Sequence, residues 1–378
     1  MRSKSVALVA AGAGLTLVLA ACGGNSASTG SSASPTGSAA AGGGRAAGAT
    51  VGVILPDTKS SARWESQDRP LLQKALTAAG LTPIIQNAEG DTTKFSSIAD
   101  QMITQGAKVI MMANLSSESG AAVQKKAAEA GVVTIDYDRL TLGGSAKYYV
   151  SFDNTKVGEL QGQGLLDCLG SKTGAQIIQI NGSPTDNNAT LFKNGAVKVL
   201  QPKYDSGAYK LVGDQAIQGW DNQLGGKTFE QLLTANGGKV DGVLAANDGL
   251  AGAIITVLQK NSLNGKVAVT GQDATAAGLQ SILRGDQCMS VYKDVQKEAA
   301  AAAELAIDLA SGDNAKADAL ATAKSADPTG NRQVSSVLLT PQAITKANVR
   351  DVLAGGSVTK AELCTGDVAA LCTAAGIS

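Results

Sequence analysis

From residue 51 onward, short apolar runs alternate with longer amphipathic stretches. Residues 51–55, 109–112 and 132–136 are apolar almost throughout, a pattern that predicts strands buried on both faces. Between them, apolar side chains fall three and four residues apart, as at Phe95, Ile98, Met102 and Ile103. That spacing predicts helices over 67–79, 94–105 and 119–130. Strands at 82–86 and 148–152 complete this first series. A second series repeats the plan, with strands expected at 175–180, 209–215, 242–246, 267–271 and 288–292. Helices are expected between them at 157–168, 188–200, 222–235, 251–259 and 274–283. The Ala-rich run 295–310 is a helix by intrinsic propensity. Apolar strands separated by helices imply parallel sheets covered on both faces. Two such series imply an α/β protein of two doubly wound lobes.

The chain before residue 50 follows a different pattern. Arg2 and Lys4 precede an apolar run from Val6 to Ala21, which is short for a membrane-spanning helix and ends at Leu19-Ala20-Ala21-Cys22. This segment looks like a secretion signal (1–21) with a lipobox, making Cys22 the residue to be acylated. Residues 22–49 are almost wholly Gly, Ser, Ala and Thr, too polar to bury a core, and are expected to act as a flexible tether.

Composition narrows the chemistry. The chain has 378 residues with 32 basic and 32 acidic side chains; loss of 1–21 removes Arg2 and Lys4 and leaves a slightly acidic protein, with no bulk field for nucleic acid. Histidine is absent, so no imidazole base or imidazole metal ligand exists, and neither a metal nor a cofactor is expected. Four cysteines remain after Cys22: Cys168, Cys288, Cys364 and Cys372. In an exported chain they suggest two disulfides, for which three connectivities exist. Cys364 and Cys372 are close enough to close a small loop, leaving Cys168 with Cys288; a four-cysteine metal site is the alternative.

Ligands of open parallel sheets sit beyond the carboxyl ends of the strands. The predicted strand ends carry Asp136, Asp138 and Arg139; Asn187 and Asn188; Asn247 and Asp248; Gln272 and Asp273; and Lys293, with Arg63 and Trp64 after the first strand. Asp and Asn accept from hydroxyls, while Arg, Lys and Asn donate to them. A Trp can lie against the apolar C–H face of a sugar ring. Opposite charges in one cleft neutralise each other when water leaves. The set suits a neutral polyol. Taken singly, each residue has a plainer reading: Asn188 or Asp273 as an N-cap, Trp64 as packing, Arg139 as a structural partner of Asp138.

Arg63-Trp64, Asp136-Tyr137-Asp138-Arg139-Leu140, Tyr149-Val150-Ser151-Phe152-Asp153-Asn154 and Gly182-Ser183-Pro184-Thr185-Asp186-Asn187-Asn188-Ala189 resemble the periplasmic D-xylose-binding proteins. Gly219-Trp220, Asn247-Asp248, Gly271-Gln272-Asp273-Ala274, Val291-Tyr292-Lys293 and Leu338-Leu339-Thr340-Pro341 continue the likeness in order over about residues 50–350. The resemblance implies the type I periplasmic binding fold, with two lobes joined by three crossings. They would comprise 48–151 plus 293–333 and 152–292 plus 334–378. It also implies sugar contacts from Arg63, Trp64, Asp138, Arg139, Asn188, Asp248, Asp273 and Lys293. Trp220 would be a second aromatic wall, with Asn187 and Asn247 as contacting or supporting groups. The likeness is thin at Asn114 and at residues 57–62. The expected protein is a monomeric, lipid-anchored receptor on the extracytoplasmic side that delivers D-xylose, or a similar aldose, to an ABC permease. Glucose, ribose or arabinose as ligand, and presentation of sugar to a signalling protein, remain open at this level. The tether, the bilobal pattern and the family likeness oppose a carboxylate glycosidase, and the export signal and lipobox oppose a sugar-sensing repressor.

Overall fold

The computed structural model describes residues 47–377; the signal segment, Cys22 and the tether up to Ala46 lie outside the described residues. The first lobe begins with strands β1 (Thr50–Leu55), β2 (Thr82–Asn87), β3 (Val109–Met112), β4 (Val133–Tyr137) and β5 (Tyr148–Phe152). Helices α1 (Arg69–Ala78), α2 (Thr92–Thr104) and α3 (Ser117–Glu129) lie between the first four strands. The chain then builds the second lobe from α4 (Asn154–Leu169), β6 (Ala175–Asn181), α5 (Asn187–Asp205), β7 (Tyr209–Ala216), α6 (Asn222–Ala235) and β8 (Gly242–Ala245). This lobe continues through α7 (Asp248–Lys260), β9 (Ala268–Val269), α8 (Ala276–Arg284) and β10 (Ser290–Tyr292). It returns through α9 (Val295–Ala310), α10 (Asn314–Leu320) and the hairpin β11 (Ala323–Asp327) and β12 (Arg332–Leu339). The last elements are β13 (Gln342–Ile344) and helices α11 (Arg350–Ala354), α12 (Lys360–Leu363) and α13 (Val368–Ala374).

The two larger sheets are wound alike, and β10 and β13 form a separate antiparallel pair. The first has the order β11-β12-β5-β4-β3-β1-β2 and is parallel except where β11 meets β12; the second is β7-β6-β8-β9, parallel throughout. Counted within each lobe, the order 2-1-3-4 recurs, so each has a switch point between its first and third strands. Local sequence starts the helices where predicted. Asp91, Ser116, Asp153, Asp186, Asp221, Asn247 and Thr275 each accept a backbone N–H in the first turn of the helix that follows. Each apolar face then closes a separate core. In α9, Ala299, Ala302, Ala303, Ala306 and Leu309 recur at helical spacing and pack with Val51, Val53, Leu72 and Tyr148 of the first lobe.

The sequence reading misplaced one boundary. Residues 334–339 were expected in the second lobe, but β12 pairs in parallel with β5, with Leu338 opposite Ser151 and Leu339 opposite Phe152. The third crossing therefore follows Leu339. The β11–β12 hairpin lies at a sheet edge, where half-exposed residues dilute the apolar run that marks a buried strand. The crossings thus lie after Phe152, around Lys293 and after Leu339. Cys168 bonds Cys288, tying the end of α4 to the approach to β10, and Cys364 bonds Cys372 within the C-terminal helices.

Helices α4 and α5 approach closely because both carry glycine at the contact. A Cβ on Gly158 would lie 1.9 Å from the Phe192 carbonyl oxygen, and one on Gly195 would lie 2.1 Å from that of Thr155. Backbone atoms cannot move aside as a side chain can. Gly158→Ala is therefore expected to lower the thermal unfolding midpoint by roughly 5 °C. Gly252→Ala, on α7 where a Cβ meets nothing within 4 Å, should leave it unchanged or raise it. Equal midpoints for the two variants in a calorimetric scan would refute close helix contact at Gly158.

Candidate ligand-binding site

The carboxyl ends of both sheets face one small cavity. From the first lobe, Ser60, Ser61, Arg63, Trp64, Asp138 and Arg139 line it; from the second come Asp186, Asn188, Phe192, Trp220, Asn247, Gln272 and Asp273. Lys293, at the second crossing, completes the wall. The space among them is about 30 Å³, room for about two waters, because polar groups of the two lobes bond one another across it. Asn188 Nδ2 donates to the Asp138 carbonyl at 2.9 Å, and Asn247 Nδ2 donates to the Ser60 carbonyl at 3.1 Å. Ser61 Oγ donates to Asp273 Oδ2 at 3.3 Å, and Arg139 Nε lies 3.2 Å from Asp186 Oδ2. That last pair is close enough for charge attraction, but Nε lacks a hydrogen-bond partner.

Backbone geometry presents the key side chains. Asp138, Trp220 and Asp273 all have left-handed φ, at 63°, 56° and 94°, a conformation that costs a residue with a Cβ of order 1 kcal/mol or more. The surroundings hold them there. The Asp138 carbonyl accepts from Tyr149 Oη, Ser151 Oγ and Asn188 Nδ2, while its N–H donates to Val150. The Asp273 N–H donates to the Val291 carbonyl. The Trp220 ring lies over Gly182, where a Cβ would come within 2.1 Å of the indole, and meets Phe192 edge-on at 6.4 Å. Its Nε1 donates to Asp186 Oδ2. Trp64 lies 4.5 Å below the Arg63 guanidinium and 5.5 Å from that of Arg139, within cation–π range.

Charges in the site are paired but not balanced. Arg63 spans Asp68, Asp138 and Glu298, with its Nη1 at 3.0 Å from Asp138. Lys293 Nζ lies 3.3 Å from Asp273 and 3.9 Å from Asp138. Burial pushes the Asp138 carboxyl up, but Lys293, Arg63 and Arg139 together outweigh it and hold the group below its usual range. Burial drives Asp186 the other way, and repulsion from Asp138 adds to the upward push against Arg139. Behind the wall, burial dominates at Glu298, which Arg63 only partly offsets; its carboxyl is held up to about 8.

Nine of the eleven residues expected to contact ligand line the cavity: Arg63, Trp64, Asp138, Arg139, Asn188, Trp220, Asn247, Asp273 and Lys293. Two expectations are corrected. Asp248 is set back inside the second lobe. Its Oδ1 accepts from Gln287 and Ser290, and its Oδ2 accepts from the Thr275 N–H and hydroxyl, so it ties α7 to α8 and β10. Asn187 is off the wall because it precedes Asn188 on α5, and one helical residue turns the side chain by about 100°. Of the plainer readings, Trp64 does pack in the first-lobe core, while those for Asn188, Asp273 and Arg139 fall. The caps are Asp186 and Thr275 rather than Asn188 and Asp273, and Arg139 meets Asp186 rather than Asp138. Asn114 supports the site indirectly, donating to the Arg139 carbonyl while its own carbonyl accepts from Arg139 Nη1. Asp186, Phe192, Ser60 and Ser61 were missed, and Gln272 was named at a strand end but not among the expected contacts. Asp186 and Gln272 stood at strand ends, and that position was the available signal.

Stability should carry the signature of Glu298. Its proton is retained to about pH 8 in the folded protein, against 4.5 for an unperturbed Glu. The folded state therefore holds the extra proton between those values, and the resulting stabilisation is lost as pH rises through 8. The urea midpoint of the native protein is expected to fall between pH 5 and 8. Glu298→Gln, which cannot ionise, should show a shallower fall. Asp136 and Asp248, each raised to about 7 chiefly by burial, keep some slope in both proteins. Parallel slopes would show that Glu298 does not hold the proton.

Comparison with known proteins places this geometry in a family. Residues 51–314 match the family model described as a periplasmic binding protein domain. The D-xylose-binding periplasmic protein of Escherichia coli K12 is 38% identical over 303 residues, covering 80% of this chain and 88% of that protein. A multiple sugar-binding periplasmic receptor of Rhizobium radiobacter is 36% identical, covering 83% and 91%. Among solved structures, an ABC transporter solute-binding protein of Clostridium phytofermentans with bound β-D-glucose superposes at a TM-score of 0.74, with 29% identity and coverage of 83% and 99%. A carbohydrate transporter solute-binding protein of Chloroflexus aurantiacus, in complex with D-glucose, gives 0.74 at 30% identity, with coverage of 82% and 97%. These relatives are binding proteins rather than enzymes. The chain belongs to the periplasmic binding protein family and has its type I fold: two doubly wound α/β lobes facing one cleft.

Proposed function

We propose that this protein is the extracytoplasmic receptor of an ABC-type sugar uptake system, and that its ligand is D-xylose or a closely similar aldose. One observation carries the reading: donors and acceptors from both lobes converge on a single cavity and, across it, satisfy one another. Asp138, Asp186 and Asp273 accept, Arg139, Asn188, Asn247 and Lys293 donate, and Trp64 and Trp220 supply apolar faces. A pyranose offers the same complement, with hydroxyls that donate and accept around C–H faces. Binding then exchanges the cross-lobe bonds for bonds to hydroxyls. The paired cations and carboxylates disfavour an anionic ligand, whose extra charge would lack a partner.

The lobes are taken as 48–152 with 293–339 and 153–292 with 340–377, moving about the three crossings. Opening separates Asn247 from Ser60 and Arg139 from Asp186; closure around sugar restores a dry, fully bonded site, and the closed surface is what a permease reads. Selectivity for a pentose follows from Trp220. Its indole is held against Gly182 and Phe192, so an added hydroxymethyl group on its side of the ring meets a wall that cannot retreat. Cys22 is the proposed lipid attachment, with residues 22–49 as the tether. No helix among the described residues is long and apolar enough to cross a membrane.

Calorimetric titration of the full-length protein against xylose, glucose, ribose, arabinose and galactose tests the ligand. Xylose should bind one-to-one and most tightly. Asp273→Ala and Arg139→Ala should each weaken it at least 30-fold, since truncating one member of a buried charge pair costs about 2–5 kcal/mol. Asp248→Asn should lower stability and leave affinity within a few-fold. Preference for another aldose would move the ligand and keep the receptor; no sugar binding by folded protein would sink the reading. Separately, Cys22→Ser should release the protein from the membrane fraction into the soluble extracytoplasmic fraction. Unchanged membrane retention would remove the lipid anchor from the proposal.

A further inference from the structure

Outward of the inner cavity the cleft widens into a groove of about 410 Å³, lined by both lobes. The two spaces are adjacent, for Arg139, Asp186 and Trp220 line each of them. Their boundary is a poorly aligned polar contact. Arg139 Nε and Asp186 Oδ2 are 3.2 Å apart without hydrogen-bond alignment, and Nε has no partner although the side chain is only 7% exposed. An acceptor-only oxygen placed there, such as the bridging oxygen of a glycoside, would satisfy that donor. Beyond the boundary, Lys59 from the first lobe and Gln218 from the second offer hydroxyl-compatible groups, while Thr185 Oγ1 donates to the Leu115 carbonyl between the lobes. The volume falls within the range of roughly 300–1,000 Å³ typical of small-molecule sites. Charge narrows the occupant. Asp57, Glu89, Asp186 and Asp221 outnumber Lys59 and Arg139 along this groove, which disfavours a uronic acid or a sugar phosphate.

We propose that the groove is a second subsite that accepts a neutral glycosyl unit attached to the sugar in the inner cavity, so that the protein binds a short glycoside as well as the free monosaccharide. The inference rests on the sugar-binding reading above and extends it outward. Closure remains compatible with this occupant, since the groove stays open to solvent while Asn247, Asn188 and Asp273 bond across the inner cavity.

The test is titration of the full-length protein with each monosaccharide that binds and with its 1→4-linked disaccharide, xylobiose for xylose and cellobiose for glucose. The disaccharide should bind one-to-one within about tenfold of the monosaccharide. Gln218→Ala and Lys59→Ala change exposed side chains that form none of the hydrogen bonds or ion pairs found among the described residues. Their double variant should weaken disaccharide binding at least fivefold and leave the monosaccharide within twofold. Monosaccharide binding with a disaccharide more than a hundredfold weaker would overturn the subsite while sparing the sugar-receptor reading. Equal effects of the double variant on both ligands would also overturn it. Failure of every sugar to bind would overturn both.

Discussion

The pairing of buried charge at the second crossing constrains everything around it. Asp138 comes from the first lobe, Asp273 from the second, and Lys293 from the chain that joins them; the Lys293 ammonium reaches both carboxylates. None of the three can be left unpaired away from water without a penalty of several kcal/mol. Arg63 extends the set to Asp68 and Glu298, so the hinge-side base of the cleft is a single network of charged and hydrogen-bonded groups. The network explains why the residues that would read a ligand sit on strained backbone. Asp138 and Asp273 adopt left-handed φ because their side chains must turn toward these cations while their peptide groups stay bonded to the sheets.

The same constraint would link the proposed binding to motion. Contacts such as Asn247 to Ser60 and Arg139 to Asp186 exist only while the lobes are together. Each leaves a buried polar group in need of a partner when the lobes part, and water or a ring of hydroxyls can supply one. A polyol that satisfies both lobes at once therefore favours closure, whereas a ligand that satisfies only one does not shift the equilibrium. Rigid packing within each lobe would confine the proposed motion to the crossings. The glycine contact between α4 and α5 and the Cys168–Cys288 bond hold the second lobe as one body.

Much of the architecture was legible because its signals are local. Apolar strands, helical spacing and capping residues each act within a few positions, and they located the alternating strands and helices through residue 310. Nearness in the chain, together with the even cysteine count, also pointed to the observed disulfides. The β11–β12 hairpin was not legible, since an edge hairpin with half-exposed residues has neither an uninterrupted apolar run nor a helical period. Its attachment to β5 is a contact between residues nearly two hundred positions apart.

The sequence by itself determined the two series of alternating strands and helices, the position of polar residues at the carboxyl ends of their strands, and the absence of imidazole chemistry. Those follow from backbone hydrogen bonding, side-chain periodicity and composition. Tertiary structure alone decided which strand-end residues face the cleft. Asp186 and Asp248 look equivalent in the chain, each an acidic group at the start of a helix that follows a strand. Asp248 is turned inward by Thr275, Gln287 and Ser290, which lie 27 to 42 residues away, whereas Asp186 meets Arg139 across the cleft. A carboxylate takes the orientation in which its oxygens find donors, and those donors come from parts of the chain that only folding brings near.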